Sequence, residues 1–152
     1  MSDTESPLAG YAHAEDGTAL ACQRRGTGFP LVLLAGQANN HHWWDGLRED
    51  FHGTHSTITL DYRGTGASDK PQGGYSTRQF AEDVIAVLDH LGIERADVYG
   101  TSMGGRVAQW VAADHPERVR PGARHAYFEE CRPEASALVA AFLGHEEQPD
   151  RE

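Results

Sequence analysis

Cysteine is scarce in this chain. Cys22 and Cys131 lie far apart and in no C-x-x-C arrangement, so neither a disulfide framework nor a cysteine metal site is indicated. Long apolar runs are lacking too: a run such as Leu31-Val32-Leu33-Leu34-Ala35 falls far short of the ~20 residues that cross a bilayer. Positive charge is in deficit, with 13 Lys and Arg against 23 Asp and Glu. The resulting net charge of −10 repels phosphate backbones and anionic lipid surfaces, so no nucleic-acid or membrane partner is expected. Residues 1–10 lack the basic-then-apolar order of a secretory signal, which makes a cytoplasmic location the default expectation.

What remains is the composition of an ordinary globular chain. Its 152 residues are 39% hydrophobic and 24% charged, enough for one domain with a sizeable core. Residues 1–10 and 144–152 read as flexible ends around a single domain at 11–143. From Tyr11 to Arg25 two short strands are predicted, joined at Asp16-Gly17, a dipeptide suited to a tight hairpin turn. Leu31 to Ala35 reads as a strand covered on both faces, and Ser56 to Asp61 as another. Between them Trp44, Leu47 and Phe51 stand at helical spacing. Ser76 to Leu91 is the clearest helix: Ser76 and Gln79 have capping-box spacing, Phe80, Val84, Leu88 and Leu91 share one face, and Gly92 stops it. A brief strand at Ala96 to Tyr99 precedes a helix from Met103 to about His115, and Ala135, Leu138, Val139 and Phe142 mark a third. This alternation predicts an α/β fold, a mostly parallel sheet with flanking helices and an antiparallel N-terminal hairpin. Residues 116–134 carry Pro116, Pro121 and Pro133 and no apolar run longer than Ala126-Tyr127-Phe128, so no inner strand is expected there.

Gly100-Thr101-Ser102-Met103-Gly104 is a G-x-S-x-G pentapeptide between a predicted strand and a predicted helix. In that context a sharp turn lifts the serine hydroxyl above the sheet edge. A chain of this composition contains the pattern by chance roughly one time in ten, so the strand-turn-helix context carries much of the weight. The competing reading is a Gly-rich loop in which Ser102 is an ordinary helix cap.

Three further segments extend the match, and the chain resembles the α/β-hydrolase superfamily, notably its enol-lactonase, haloperoxidase-like and esterase members. Leu31 to Gln37 is similar to the strand and loop that supply one oxyanion donor, although the family often has His-Gly where this chain has Ala35-Gly36. Asp61-Tyr62-Arg63-Gly64-Thr65-Gly66-Ala67-Ser68 resembles a structural D-x-R-G-x-G-x-S turn. Ser102 to Gly105, through His115-Pro116-Glu117-Arg118-Val119, continues it. The resemblance implies Ser102 as nucleophile and the Gln37 and Met103 amides as oxyanion donors, with no metal or nucleotide cofactor. A serine needs an imidazole base, and Gly122 to Ala126 with the helix after it is similar to the family's histidine loop, which makes His125 the base. Among the other histidines, His41 and His42 read as polar loop residues, and His13, His52, His55, His90, His115 and His145 as solvated ones.

The resembling blocks, residues 18–119 and 121–143, abut where the family carries further strands, a cap and the loop bearing the triad acid. The chain thus reads as a truncated hydrolase with an internal deletion. No residue matches the acid. Glu129 and Glu130 are candidates for it, against the ordinary reading of solvated carboxylates in a helix's first turn. The shortened sheet is also expected to leave the strand at Ala96 to Tyr99 near an open edge, through which a homo-oligomer could form. The leading expectation is a serine hydrolase acting on a small ester, thioester or lactone. Its rivals are a catalytically silent remnant serving as a binding module, and a cofactor-free perhydrolase or carbon–carbon hydrolase on the same fold.

Overall fold

A computed structural model describes residues 10–36, 48–51, 53–120 and 126–128. The described chain opens with a hairpin: β1 (Gly10–His13) runs antiparallel to β2 (Ala19–Arg25), with Gly10 opposite Cys22 and His13 opposite Ala19. Its turn falls at the expected Asp16-Gly17, closed by Ala14 N–H to Thr18 O at 2.9 Å and by Thr18 N–H to Asp16 Oδ1 at 3.0 Å. β3 (Phe29–Leu34) runs parallel both to β4 (His55–Leu60) and to β5 (Asp97–Thr101), and β2 joins the far side of β4 antiparallel. A short β6 (Ala126–Phe128) lies parallel on β5, giving the spatial order β1-β2-β4-β3-β5-β6. The fold is therefore α/β, a mixed sheet, mostly parallel, with the antiparallel hairpin at one side.

The crossover from β4 to β5 is α1 (Thr77–His90), and the one after β5 is α2 (Met103–Asp114). Ser76 caps α1 as its spacing predicts: its backbone is extended, φ −160° and ψ 159°, and its hydroxyl accepts from Gln79 N–H at 3.0 Å. The reciprocal half of the capping box is not made. The Gln79 side chain instead donates to Asp83 Oδ1 at 3.1 Å.

Val84, Val87 and Leu88 of α1 and Val107, Ala108 and Val111 of α2 are buried in one cluster with Leu20, Val32, Leu34, Ile58 and Leu60 of the sheet. Strand alternation turns Thr57 and Thr59 the other way. There they hold Arg48, fully buried, through Nε to Thr57 Oγ1 at 2.7 Å and Nη1 to Thr59 Oγ1 at 3.2 Å, with Gln23 Oε1 accepting from the same Nη1. Phe51, which closes the 3-10 turn Arg48–Phe51, meets Tyr99 edge to face at 6.0 Å. Both faces of the central strands are thus covered, which is why β4 and β5 are buried along their whole length.

A short strand forms within residues 116–134, where the sequence shows none: β6 pairs along β5 with Tyr99 opposite Ala126 and Thr101 opposite Phe128. It is last in the order, so it is not an inner strand, and β5 lies one strand from the edge of the described sheet. Pro116, Pro121 and Pro133 all fall outside the three paired residues, so the missing proline N–H groups cost this ladder nothing. Pairing already begins lower down, where Val119 bridges Ala96 and Arg120 N–H reaches Ala96 O at 3.2 Å. The expected third helix and residues 1–9 and 144–152 lie outside the described residues, as does all but the Phe51 end of the helix expected from Trp44.

Candidate active site

Ser102 stands between the last residue of β5 and the first of α2, with φ 53° and ψ −122°. Among the described residues it is the one non-glycine at positive φ, a conformation that costs about 1–3 kcal/mol and persists only where the surroundings impose it. Here the surroundings are backbone. A Cβ on Gly100 would run into the carbonyl of Gly104, and a Cβ on Gly104 into the carbonyl of Leu34 at the end of β3. The two glycines of the pentapeptide therefore let strand, turn, helix and neighbouring strand approach more closely than side chains permit.

Ser102 is exposed and its side chain makes no cap hydrogen bond, although Gly105 N–H bonds its carbonyl at 2.9 Å. Ser76 shows what an ordinary cap looks like in this protein, and Ser102 differs from it in backbone and side chain alike, which removes the capping alternative. Met103, the first residue of α2, carries one of the amides that a helix leaves without an intrahelical acceptor. The contact of Gly104 with Leu34 and Ala35 sets that end of α2 against the segment that leads to Gln37. Gln37 itself, His125, Glu129 and Glu130 lie outside the described residues, as do His41 and His42.

The turn after β4 is structural, as expected. Asp61 Oδ2 accepts from Ala67 N–H at 2.9 Å and leaves no room for a Cβ on Gly66, while Ser68 Oγ donates to Asp61 O at 2.7 Å and accepts from Ala21 N–H at 2.8 Å. Arg63, buried, binds both oxygens of Asp83 on α1 at 2.7 and 2.8 Å and reaches Asp16 in the hairpin turn at 2.9 Å. The Asp16 carboxyl is held well below its ordinary 3.8, first by the Arg63 hydrogen bond and then by the Thr18 N–H. Tyr62, between Asp61 and Arg63, donates to the Ala35 carbonyl at 2.7 Å.

Of the histidines read as solvated, His52 and His145 lie outside the described residues, His115 is half-buried with Nε2 2.7 Å from Glu82 Oε2, and His55 departs furthest from expectation. His55, read as solvated, is buried, with Nε2 3.0 Å from Asp97 Oδ2 and Nδ1 2.7 Å from Thr54 Oγ1. Arg120 also bonds Asp97 and lies over the Phe29 ring at 3.8 Å. Nothing in the local pattern shows this pairing, because its partners are 42 residues apart in the chain. Asp97 opens β5 whereas Ser102 follows its end, so at ~3.3 Å per residue the pair sits about 16 Å from the serine along the sheet. It braces the opposite end of the fold and cannot serve Ser102. A groove of about 790 Å³ between the hairpin and α1, with Glu15, Asp16, Glu82 and Asp89 among its lining, does not include Ser102 either.

The pentapeptide turn, the D-x-R-G turn and β4 and β5, with most of β3, fall within residues 30–126, the span matched by the family model for the alpha/beta hydrolase fold. The chain belongs to this family. Among its relatives, 3-oxoadipate enol-lactonase 2 of Acinetobacter baylyi is 41% identical over 88 residues, covering 58% of this chain and 33% of the lactonase. The 2-hydroxymuconate semialdehyde hydrolase of Pseudomonas putida is 35% identical over 119 residues, covering 76% of this chain and 42% of that enzyme. A solved hydrolase from Pseudomonas aeruginosa PA01 superposes with a TM-score of 0.74 at 29% identity, over 91% of this chain and 54% of that one. This alpha/beta hydrolase chain thus spans less than half the length of the two curated relatives.

Proposed function

We propose that this alpha/beta hydrolase chain is a serine hydrolase acting on a small ester, thioester or lactone. The observation that supports this reading is the backbone of Ser102, an exposed residue held at positive φ by close backbone contacts, with its side chain making no cap hydrogen bond. Kinship to an enol-lactonase supports the substrate class. Ser102 Oγ attacks the acyl carbon while its proton passes to His125, and the Met103 and Gln37 amides hold the developing oxyanion. The leaving oxygen or sulfur takes that proton as its bond to the acyl carbon breaks. A water then gives a proton to His125 and attacks the acyl-serine, and as the bond from the acyl carbon to Ser102 Oγ breaks that proton passes from His125 to the serine and the acid is released. Glu129 or Glu130 is the proposed acid orienting His125. The substrate is a soluble small molecule met in the cytoplasm. Among the described residues no helix is long and apolar enough to cross a membrane.

A second reading has its own support in the 35% identity to a 2-hydroxymuconate semialdehyde hydrolase, and it gives the same serine a carbon–carbon bond to cleave. Parallel assays of p-nitrophenyl esters, lactones and a diketone on the full chain separate the two. Under either reading Ser102→Ala abolishes turnover and labelling by a fluorophosphonate probe. Unchanged turnover in that variant would overturn the nucleophile. Intact folding with neither turnover nor labelling in the wild-type chain would assign the silent binding module instead.

A further inference from the structure

The D-x-R-G turn is accounted for by its Asp, Arg, Gly and Ser, which leaves its second residue without a role. Tyr62 is buried at 2% exposure immediately past β4, at the end of the sheet where Ser102 emerges. Its ring stacks on Phe80 of α1, with centroids 4.8 Å apart and planes inclined by 25°. The hydroxyl, by contrast, leaves this apolar stack and donates to the carbonyl of Ala35 at 2.7 Å. Ala35 is the first residue past β3, also buried, and the same oxygen lies against the first turn of α2, 2.8 Å from where a Cβ of Gly104 would stand. A single carbonyl thus lies between the Tyr62 phenol and the helix that begins at the nucleophile.

From this arrangement we infer that Tyr62 is a positioning residue, whose hydroxyl orients the Ala35–Gly36 peptide and with it the chain that enters the oxyanion loop. The peptide is planar, so an oxygen held in place also sets the direction of the Gly36 N–H on its opposite side and the exit towards Gln37. Oxyanion stabilisation depends on donors fixed before the reaction begins, and small misplacements of such groups cost rate rather than affinity. Burial pushes the Tyr62 phenol well above its ordinary range, so it stays a neutral donor at every pH at which an imidazole base works. The inference rests on the serine-hydrolase reading and adds to it the residue that aligns the loop.

Tyr62→Phe keeps the ring and its stack and removes only the hydrogen bond. On a p-nitrophenyl ester the full chain carrying Tyr62→Phe should show kcat lowered about 10- to 100-fold, with KM and the pH midpoint of kcat unchanged, because acyl binding and the base are untouched. Fluorophosphonate labelling of Ser102 should slow in step. Phe80→Leu is the control for a role in packing alone: it weakens the stack and lowers the melting temperature while leaving kcat as in wild type below its transition. Equal kcat in Tyr62→Phe and wild type, in a chain whose turnover requires Ser102, overturns the positioning role alone. Parallel changes in kcat and KM that track thermal stability in both variants also overturn it. Turnover that survives Ser102→Ala removes the hydrolase reading and this inference together.

Discussion

Ser76 and Ser102 each begin a helix, but one closes a cap and the other leaves its side chain out of any cap hydrogen bond. Ser76 has extended backbone and bonds inward, so Ser76→Ala should cost about 1 kcal/mol in urea denaturation, the usual loss for a helix cap. Ser102 bonds no cap amide and carries backbone strain. Ser102→Gly removes the strained Cβ and should raise stability by about 1 kcal/mol while abolishing turnover. Ser102→Ala keeps the Cβ and should abolish turnover with no such gain, so the pair of variants separates strain from chemistry in one set of melts. Gly104→Ala is the opposite case, because its methyl would meet a carbonyl rather than a yielding side chain. A loss of about 3 kcal/mol or more is expected, read as a lower urea midpoint. At this scale the G-x-S-x-G spacing, read together with the strand before it and the helix after it, pointed to the strained serine and to both glycines. It was silent about Tyr62, since a tyrosine between an Asp and an Arg carries no sign of which carbonyl it will face.

At the scale of elements, the link from hairpin to helix runs through Arg63, which joins the Asp16 turn to Asp83 on α1. The Asp16 carboxyl is depressed below its ordinary 3.8, so the stability it contributes is present above that pH and is lost as the pH falls towards its folded value. Its side chain is 55% exposed, so screening by water and salt keeps the contribution small. Asp16→Asn should therefore melt lower than wild type at pH 7, with the gap beginning to narrow only below the ordinary 3.8 and still open at pH 3, in thermal scans at low salt. Strands and helices that alternate cleanly were legible in the chain: β3, β4, α1 and α2 all fall within a few residues of where periodicity puts them. β6 was not legible, because a strand of three residues has too little pattern to outweigh the prolines near it. His55 and Arg48 escaped for a related reason. A polar residue beside a strand is buried only if a distant partner satisfies it, and Asp97 and Thr57 are distant in sequence or neutral in appearance.

For the whole molecule, the base of the sheet is tied together by Arg120, which bonds Asp97, lies on Phe29 and stands where the returning chain begins to pair with β5. Asp97 is buried at 1% exposure, so Arg120→Ala withdraws a cation from a carboxylate that water does not reach. The loss should approach about 3 kcal/mol, somewhat below that of a fully buried pair because the Arg120 side chain retains 22% exposure, and urea denaturation measures it. Activity per folded molecule should be unchanged, since this clasp lies at the end of the sheet away from Ser102. The division of labour between the two ends was invisible in the chain, where Asp97 and Ser102 are near neighbours. A strand makes them opposites by running straight between them.

The turn at Ser102 is set by main chain pressed against main chain, at Gly100, Gly104 and Leu34, and by no side chain of its own. Its occupant therefore inherits its posture instead of creating it. A cysteine or an aspartate installed there would be displayed at the same spot and angle, so the scaffold works as a socket whose side chain can be exchanged without rebuilding what lies beneath.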